Sequence, residues 1–218
     1  MEFKTVLFDF DGTVANTLPL CIHGFKSVFK KYDHRSIDTE GIISMFGPTD
    51  DAMIRKNLRD QDAVPEAIEF YYQIYTNEHK KYVGDHPAIL RLLKALKRRQ
   101  IQVGLITGKS RRAYTISEKL LGFEGFFQSV ITGDDVTVPK PDPQGILKML
   151  DHFHANKETA IYIGDSNNDI LAGKAAGIHT AAVQWFPMSQ SGSYPAGPDY
   201  YWTDVNDFID LLQRSNPV

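Results

Sequence analysis

The sequence predicts an α/β fold: a parallel sheet covered by helices on both faces, with an all-helical segment inserted after the first strand. Two observations carry this prediction. Several short apolar runs recur along the chain, each followed by a turn and a helical pattern. Near-continuous apolar runs of this length suit strands buried on both faces. The rhythm breaks once, from about residue 15 to 85, where helical patterns rich in Phe, Tyr, Ile and Leu follow one another without a convincing strand.

Taken in order, the first run is Thr5-Val-Leu-Phe8. The segment after it holds apolar helical patterns at Cys21 to Tyr32 and Ala67 to Tyr82, the second carrying Ile68, Tyr71, Tyr72, Ile74 and Tyr75. A stretch this long is not a loop of a compact domain. It is read as a separate helical domain over 15–85, leaving 1–14 and 86–218 as a discontinuous α/β core. Residues 87–99 place Ile89, Leu90, Leu93 and Leu96 on one face and end in Lys97-Arg98-Arg99, which complements a helix C-terminus. Strands follow at 101–106, 129–131, 160–163 and 180–183. Helices over 110–121 and 166–176 end before Gly122 and Gly177, both suited to left-handed caps. Residues 187–199, rich in Ser, Gly and Pro, read as a surface loop.

Composition narrows the function. The chain has 218 residues, enough to bury roughly 70% of its unfolded surface without disulfides or a structural metal. Its 24 basic and 27 acidic residues leave a net charge of -3, which argues against nucleic acid as a partner. Cys21 is the only cysteine, so a reducing compartment is expected. No run of 18 apolar residues and no signal-peptide core is found, and the expectation is a soluble cytoplasmic protein away from membranes.

Four polar clusters stand where apolar runs end or helices begin, and open α/β sheets bind ligands at the carboxyl ends of their strands. Asp9-Phe10-Asp11-Gly12-Thr13 follows the first strand, its two carboxylates spaced to face one side, with Gly12 permitting a sharp turn. Thr107-Gly108-Lys109-Ser110 opens a helix, where a hydroxyl and free amides form an anion site or an ordinary cap. In Pro139-Lys140-Pro141-Asp142-Pro143 two prolines restrict where Lys140 aims, and Pro143 is placed to begin a helix capped by Asp142. Gly164-Asp165-Ser166-Asn167-Asn168-Asp169 puts two carboxylates a helical turn apart. Each cluster alone also fits a turn or a helix cap. Together they bring four carboxylates to one sheet edge, repelling by ~4 kcal/mol per close pair at an effective dielectric near 20. A divalent cation and Lys140 relieve that repulsion, and an all-oxygen set beside phosphate suits Mg²⁺. These are the parts of phosphoryl transfer.

Asp9-Phe-Asp11-Gly-Thr13, Thr107, Lys140-Pro-Asp-Pro and Gly164-Asp165-Ser-Asn-Asn-Asp169, in this order, resemble the haloacid dehalogenase superfamily over essentially the whole chain. Leu171-Ala-Gly-Lys-Ala-Ala-Gly177 is similar to the phosphoglycolate phosphatase-like and pyrophosphatase-like hydrolases of that superfamily, and the insertion resembles its C1 cap. The resemblance implies a Rossmann-like core and a Mg²⁺-dependent phosphatase acting on a small phosphorylated metabolite or pyrophosphate. It implies Asp9 as the nucleophile and Asp11 as the general acid and base. Thr107, Gly108 and Lys140 would hold the phosphate. Asp9, Asp11 (through its carbonyl), Asp165 and Asp169 would surround the metal. A monomer or weak dimer is expected.

Two departures from the family pattern fall at the joints of the insertion: Asn16-Thr17 in place of an acid before Thr or Ser, and His86-Pro87-Ala88 in place of a Pro-Gly turn. A phosphomutase similar to the β-phosphoglucomutases is the alternative reading. A receiver-like signalling domain is disfavoured by the Asp9-x-Asp11 pair and the insertion. Specificity is expected in the cap, with Gly47-Pro48-Thr49-Asp50 and Arg55 as candidates.

Overall fold

A computed structural model describes residues 2–214. The chain begins with β1 (Thr5–Phe8) and then forms five helices: α1 (Leu18–Asp33), α2 (Thr39–Ile43), α3 (Asp50–Asn57), α4 (Val64–Asn77) and α5 (His79–Val83). It continues as α6 (Pro87–Arg98), β2 (Gln102–Ile106), α7 (Arg111–Leu121), β3 (Ser129–Ile131) and α8 (Gln144–Phe153). The last elements are β4 (Ala160–Gly164), α9 (Asn167–Ala176), β5 (His179–Val183), β6 (Tyr200–Trp202) and α10 (Val205–Arg214).

All strand pairs are parallel, in the order β3-β2-β1-β4-β5-β6. Thr5 is in register with both Gln102 and Ala160, so β1 lies at the centre. The chain winds outward on one side through β2 and β3 and on the other through β4, β5 and β6. Between β1 and β4 the winding reverses, which opens a crevice at their carboxyl ends.

Alternation along each strand divides the core between the two faces. Val6, Phe8, Val103, Leu105, Ile161 and Ile163 join one apolar cluster with Leu92, Leu93 and Leu96 of α6 and Phe208 of α10. Leu7, Ile106 and Tyr162 join the other, with Ile146, Met149 and Leu150 of α8 and Ala172 of α9. Both faces of the sheet are therefore covered.

The inserted helices pack among themselves through aromatic rings. Phe25 of α1 stacks on Tyr71 of α4 with centroids 4.6 Å apart, and Phe29, Tyr71 and Tyr75 are fully buried. This layer meets α7 through polar contacts: Glu69 pairs in two-pronged fashion with Arg112 at 2.5 and 2.7 Å, and Tyr75 and His79 share the Ser117 hydroxyl. The two connecting segments are tied to each other, the Asn16 amide donating to His86 Nε2 at 3.1 Å.

Several boundaries differ from the sequence reading. The pattern over 67–82 is two helices, broken at Glu78, where the backbone leaves the helical region (φ -103°, ψ 3°). Helix α8 begins at Gln144, one residue after Pro143, although the Asp142 carboxylate does accept from the Gln144 amide. Strand β6 has no signature in the sequence; three residues at a sheet edge are too few to show a period. Gly122 and Gly177 end their helices with φ of 66° and 76°. Among the described residues no helix is long and apolar enough to cross a membrane.

Candidate active site

The crevice at the ends of β1 and β4 gathers the four polar clusters. Asp9 leaves β1 at 2% exposure, and Gly12 turns the chain with φ of 79°, at a point where a Cβ would lie 2.2 Å from Asp165 Oδ2. Only glycine fits that approach. Lys140, flanked by Pro139 and Pro141, reaches in to donate to Asp9 Oδ1 at 2.8 Å and Asp169 Oδ1 at 2.6 Å. Its amine also lies 3.1 Å from the Tyr162 hydroxyl, which donates to the Ile106 carbonyl. Asp169 Oδ2 accepts from the Ser166 amide and hydroxyl, at 3.0 and 2.5 Å, in a capping box that begins α9. Both oxygens of Asp169 are thus engaged, and the residue anchors Lys140.

Asp9, Asp165 and Asp169 each place a carboxylate oxygen within 4.8 Å of the others. Asp9 Oδ2 is buried with no hydrogen-bond partner. Asp165 Oδ1 and the main-chain carbonyl of Asp11 both accept from one side-chain amide, that of Gln190, at 3.2 and 3.4 Å. The Gln190 backbone amide covers Asp165 Oδ2 at 2.6 Å. An orphaned buried carboxylate oxygen beside two more oxygens that share one weakly placed donor is an all-oxygen set, and it fits a hard divalent cation. The electrostatics agree. Burial, against the opposing pull of Lys140 and with the push of Asp169 and Asp11, raises Asp9 to about 7. Burial and the neighbouring Asp9 and Asp169 raise Asp165 well above the carboxylate range. Burial pushes the Lys140 ammonium down, but Asp169 and Asp9 overcome it and hold the charge.

The Asp11 carboxylate turns away from this cluster. It accepts from the Thr17 hydroxyl and pairs with Lys109 Nζ at 2.9 Å. The metal-ligand expectation for Asp11 is therefore confined to its carbonyl. Lys109 is 5% exposed, lies 3.3 Å from Cys21 Sγ and 3.9 Å from Asp50 Oδ1, and sits over the Tyr75 ring. Burial drives the Cys21 thiol up to about 12, so it is a neutral part of this nest. Asp50 reaches from α3 to the start of α7, where its Oδ2 accepts from the Ser110 amide and hydroxyl at 2.9 and 2.7 Å. Its Oδ1 accepts from Tyr71 at 2.6 Å. Burial alone would raise the Asp50 carboxyl, but Lys109 and these donors hold it below its ordinary value.

The amides at the start of α7, expected to be free for an anion, are consequently occupied by the chain itself: Ser110 by Asp50 and Arg111 by Asp134 at 2.7 Å. Thr107 and Gly108, one step earlier, do face the site. Gly133 admits the insertion here, since a Cβ would lie 2.4 Å from the Gly108 carbonyl and 2.5 Å from the Thr49 methyl.

Between core and insertion lies a cavity of about 200 Å³. Asp9, Asp11, Thr107, Gly108, Lys109 and Lys140 line its core side, and Gly47, Pro48 and Asp50 are among the lining residues of the insertion. Arg55 is exposed in the last turn of α3 and does not line the cavity, so it is set aside as a specificity candidate. Sequence reasoning missed Lys109, Tyr162 and Gln190. Lys109 stands in a cluster already singled out, and Gln190 lies on a loop leaving the carboxyl end of a strand, where ligand residues are expected.

A crevice that gathers buried carboxylates and a lysine at the winding reversal of a parallel sheet defines the class of protein. The sequence profile of the haloacid dehalogenase-like hydrolases matches residues 6–183. The chain belongs to that family, in the branch of the pyrophosphatase-like proteins. It is 31% identical over 216 residues to pyrophosphatase PpaX of Bacillus mycoides (strain KBAB4), covering 99% of this chain and 100% of the relative. A crystal structure described as a haloacid dehalogenase-like hydrolase of Bacteroides fragilis is 26% identical and superposes with a TM-score of 0.79, covering 95% of this chain and 100% of that one. One described as a phosphoglycolate phosphatase of Haemophilus somnus 129PT shares the fold at 19% identity, with a TM-score of 0.83 and coverage of 98% and 99%.

Proposed function

We propose that the protein is a Mg²⁺-dependent phosphatase that hydrolyses a small phosphate ester through an aspartyl-phosphate on Asp9. The observation that supports this most is the division of labour within Asp9. Lys140 pins one oxygen, while the other is buried and unpartnered, left for the cation that the acidic cluster fits. A carboxylate held in this way is an oriented nucleophile.

In this reading an Asp9 oxygen attacks phosphorus, and the bond from phosphorus to the ester oxygen breaks. Asp11, which takes up a proton on leaving Lys109, gives it to that leaving oxygen, which departs as the alcohol. Water then attacks the phosphorus of the aspartyl-phosphate, Asp11 takes the water proton, and the Asp9 carboxylate is released with inorganic phosphate. Asp11 must swing from Lys109 and Thr17 to serve both steps. Thr107 and Gly108 hold the phosphoryl oxygens and Lys140 balances the charge that develops between them and Asp9. Asp9, Asp165 and the carbonyl of Asp11 would hold Mg²⁺, which supplies charge neutralisation when bound. Asp169 serves by holding Lys140. The helices over 15–85 act as a cap that excludes water, and the buried lone thiol suits a reducing, cytoplasmic setting.

The relatives named as pyrophosphatases make pyrophosphate a substrate to include in any screen. The experiment is phosphate release from a panel of phosphomonoesters and pyrophosphate with and without Mg²⁺, with acid-quenched protein digested to locate the phosphoryl group. Release that depends on Mg²⁺, with phosphate trapped on Asp9, is expected. Isomerised product without free phosphate would instead assign a mutase, and absence of any phosphoprotein would remove Asp9 from the role.

A further inference from the structure

We propose that the leaving group of the substrate is uncharged and apolar, a short alkyl or single-ring alcohol, and that Phe46 and Met53 select it; this rests on the phosphatase reading above.

The cavity has two chemically distinct ends. The core end holds the carboxylates, Thr107 and Lys140. The opposite end is made by consecutive elements of the insertion: Phe25 of α1, Ile43 of α2, Phe46 and Pro48 of the following loop, and Met53 of α3. Among the described residues no Lys, Arg or His of the insertion lines the cavity.

The cations that do line it are Lys109 and Lys140, and each already lies between two carboxylates, Asp11 with Asp50 and Asp9 with Asp169. A second anionic group on the substrate, such as the far phosphoryl of pyrophosphate or the carboxylate of phosphoglycolate, would therefore meet apolar side chains, and Lys109 keeps Asp50 as its buried partner even when Asp11 turns to the leaving oxygen. Burying a charge without a partner is costly. A cationic tail fares no better, because the cap carboxylate Asp50 has both oxygens engaged by Tyr71 and Ser110. What this end can reward is apolar surface.

Size limits the group further. A cavity of about 200 Å³ is below the range of drug-sized pockets, so it suits phosphate plus a few carbons or one ring. Phe46 is half-buried on a loop, its ring 6.3 Å from that of Phe25, and the Met53 thioether, which lines the same cavity, is the adaptable kind of side chain that fills irregular gaps.

The test compares kcat/KM with Mg²⁺ for methyl, propyl and butyl phosphate, 2-phosphoglycolate, phosphoethanolamine and pyrophosphate. We expect a gain of about three- to fourfold per added methylene, and butyl phosphate to exceed phosphoglycolate and phosphoethanolamine by at least about tenfold, equivalent to ~1.4 kcal/mol. Phe46→Ala should cut butyl phosphate more than methyl phosphate, and Phe46→Arg should raise phosphoglycolate relative to butyl phosphate. Phosphoglycolate, phosphoethanolamine or pyrophosphate as the better substrate overturns the inference and leaves the phosphatase reading standing. Failure to release phosphate from any of them overturns the phosphatase reading itself. Calorimetric binding of butylphosphonate against phosphonoacetate to the wild-type protein reads the pocket without turnover; tighter binding of phosphonoacetate sinks the inference on its own.

Discussion

Lys109 Nζ lies 2.9 Å from Asp11 Oδ1, and the same ammonium sits 3.9 Å from Asp50 of the inserted helices. One buried cation thus joins the residue assigned to proton transfer to the layer that covers the site. Burial alone would strip Lys109 of its charge; the Asp11 carboxylate, with Asp50, keeps the ammonium well above its ordinary range.

That pairing has a consequence for stability. Lys109→Met leaves Asp11 and Asp50 without their cation, and breaking a buried pair in this way typically costs ~3–5 kcal/mol. Urea unfolding of the variant should show a loss of that order, with partial recovery in Lys109→Met/Asp50→Asn. A loss below about 1 kcal/mol would mean that the pair contributes no more than a surface contact does.

The two aspartates of the first cluster should fail differently. Asp9→Asn should abolish turnover, since an amide is a very poor nucleophile toward phosphorus. Asp11→Asn should slow both half-reactions by ~10²–10⁴-fold, the range for loss of a general acid and base. Pre-steady-state release of phosphate distinguishes them. More activity in Asp9→Asn than in Asp11→Asn would reverse the assigned roles.

The parts of this site that were legible in the sequence are those set by chain order at strand ends. Asp9, Thr107 and Asp165 each follow an apolar run, and the rule for open parallel sheets places them at one edge before any coordinates exist. The five runs read as strands are five of the six strands. What could not be read depends on contacts between distant segments. That Asp11 would turn to Lys109, that Asp50 would occupy the Ser110 amide, and that Gln190 would cover Asp165 are tertiary facts with no local signature. Arg55, a candidate by its place in the insertion alone, is likewise exposed and outside the cavity, since position in the chain does not say which face of α3 turns inward.

The cation should be selective by geometry. Ca²⁺ takes more oxygens in a looser shell than octahedral Mg²⁺. With the free oxygen of Asp9 beside the proposed site, Ca²⁺ can engage both oxygens of that carboxylate and deprive it of its nucleophile. Ca²⁺ should therefore bind, raise the melting temperature as Mg²⁺ does, and inhibit. Full activity with Ca²⁺ alone, or in excess chelator, contradicts this account.

His79 supplies a pH-dependent element at the joint between insertion and core. Its Nε2 meets the Ser117 hydroxyl at 2.9 Å, a hydroxyl also 2.7 Å from Tyr75, and the residue is 2% exposed. Burial, with smaller contributions from the positive Lys109 and from His86, lowers its pKa from 6.5 to about 4. The folded protein therefore keeps His79 neutral at a pH where the unfolded chain protonates it. The unfolded state binds more protons between about 4 and 6.5, so the stability this residue contributes is fully present above pH 6.5. It is lost progressively as pH falls toward 4, to a limit of about 3 kcal/mol. His79→Gln cannot take up that proton, while the carboxylates that titrate in the same window are common to both proteins and cancel in the comparison. Denaturant unfolding from pH 7 to 4 should show the wild type losing stability more steeply than the variant. Hydrogen exchange in α5 and α7 should report the same loss locally, because protonation strains the contact that holds these helices together. Parallel stability curves for the two proteins would show that His79 takes up its proton in the folded state at its ordinary pKa and has no part in holding the joint.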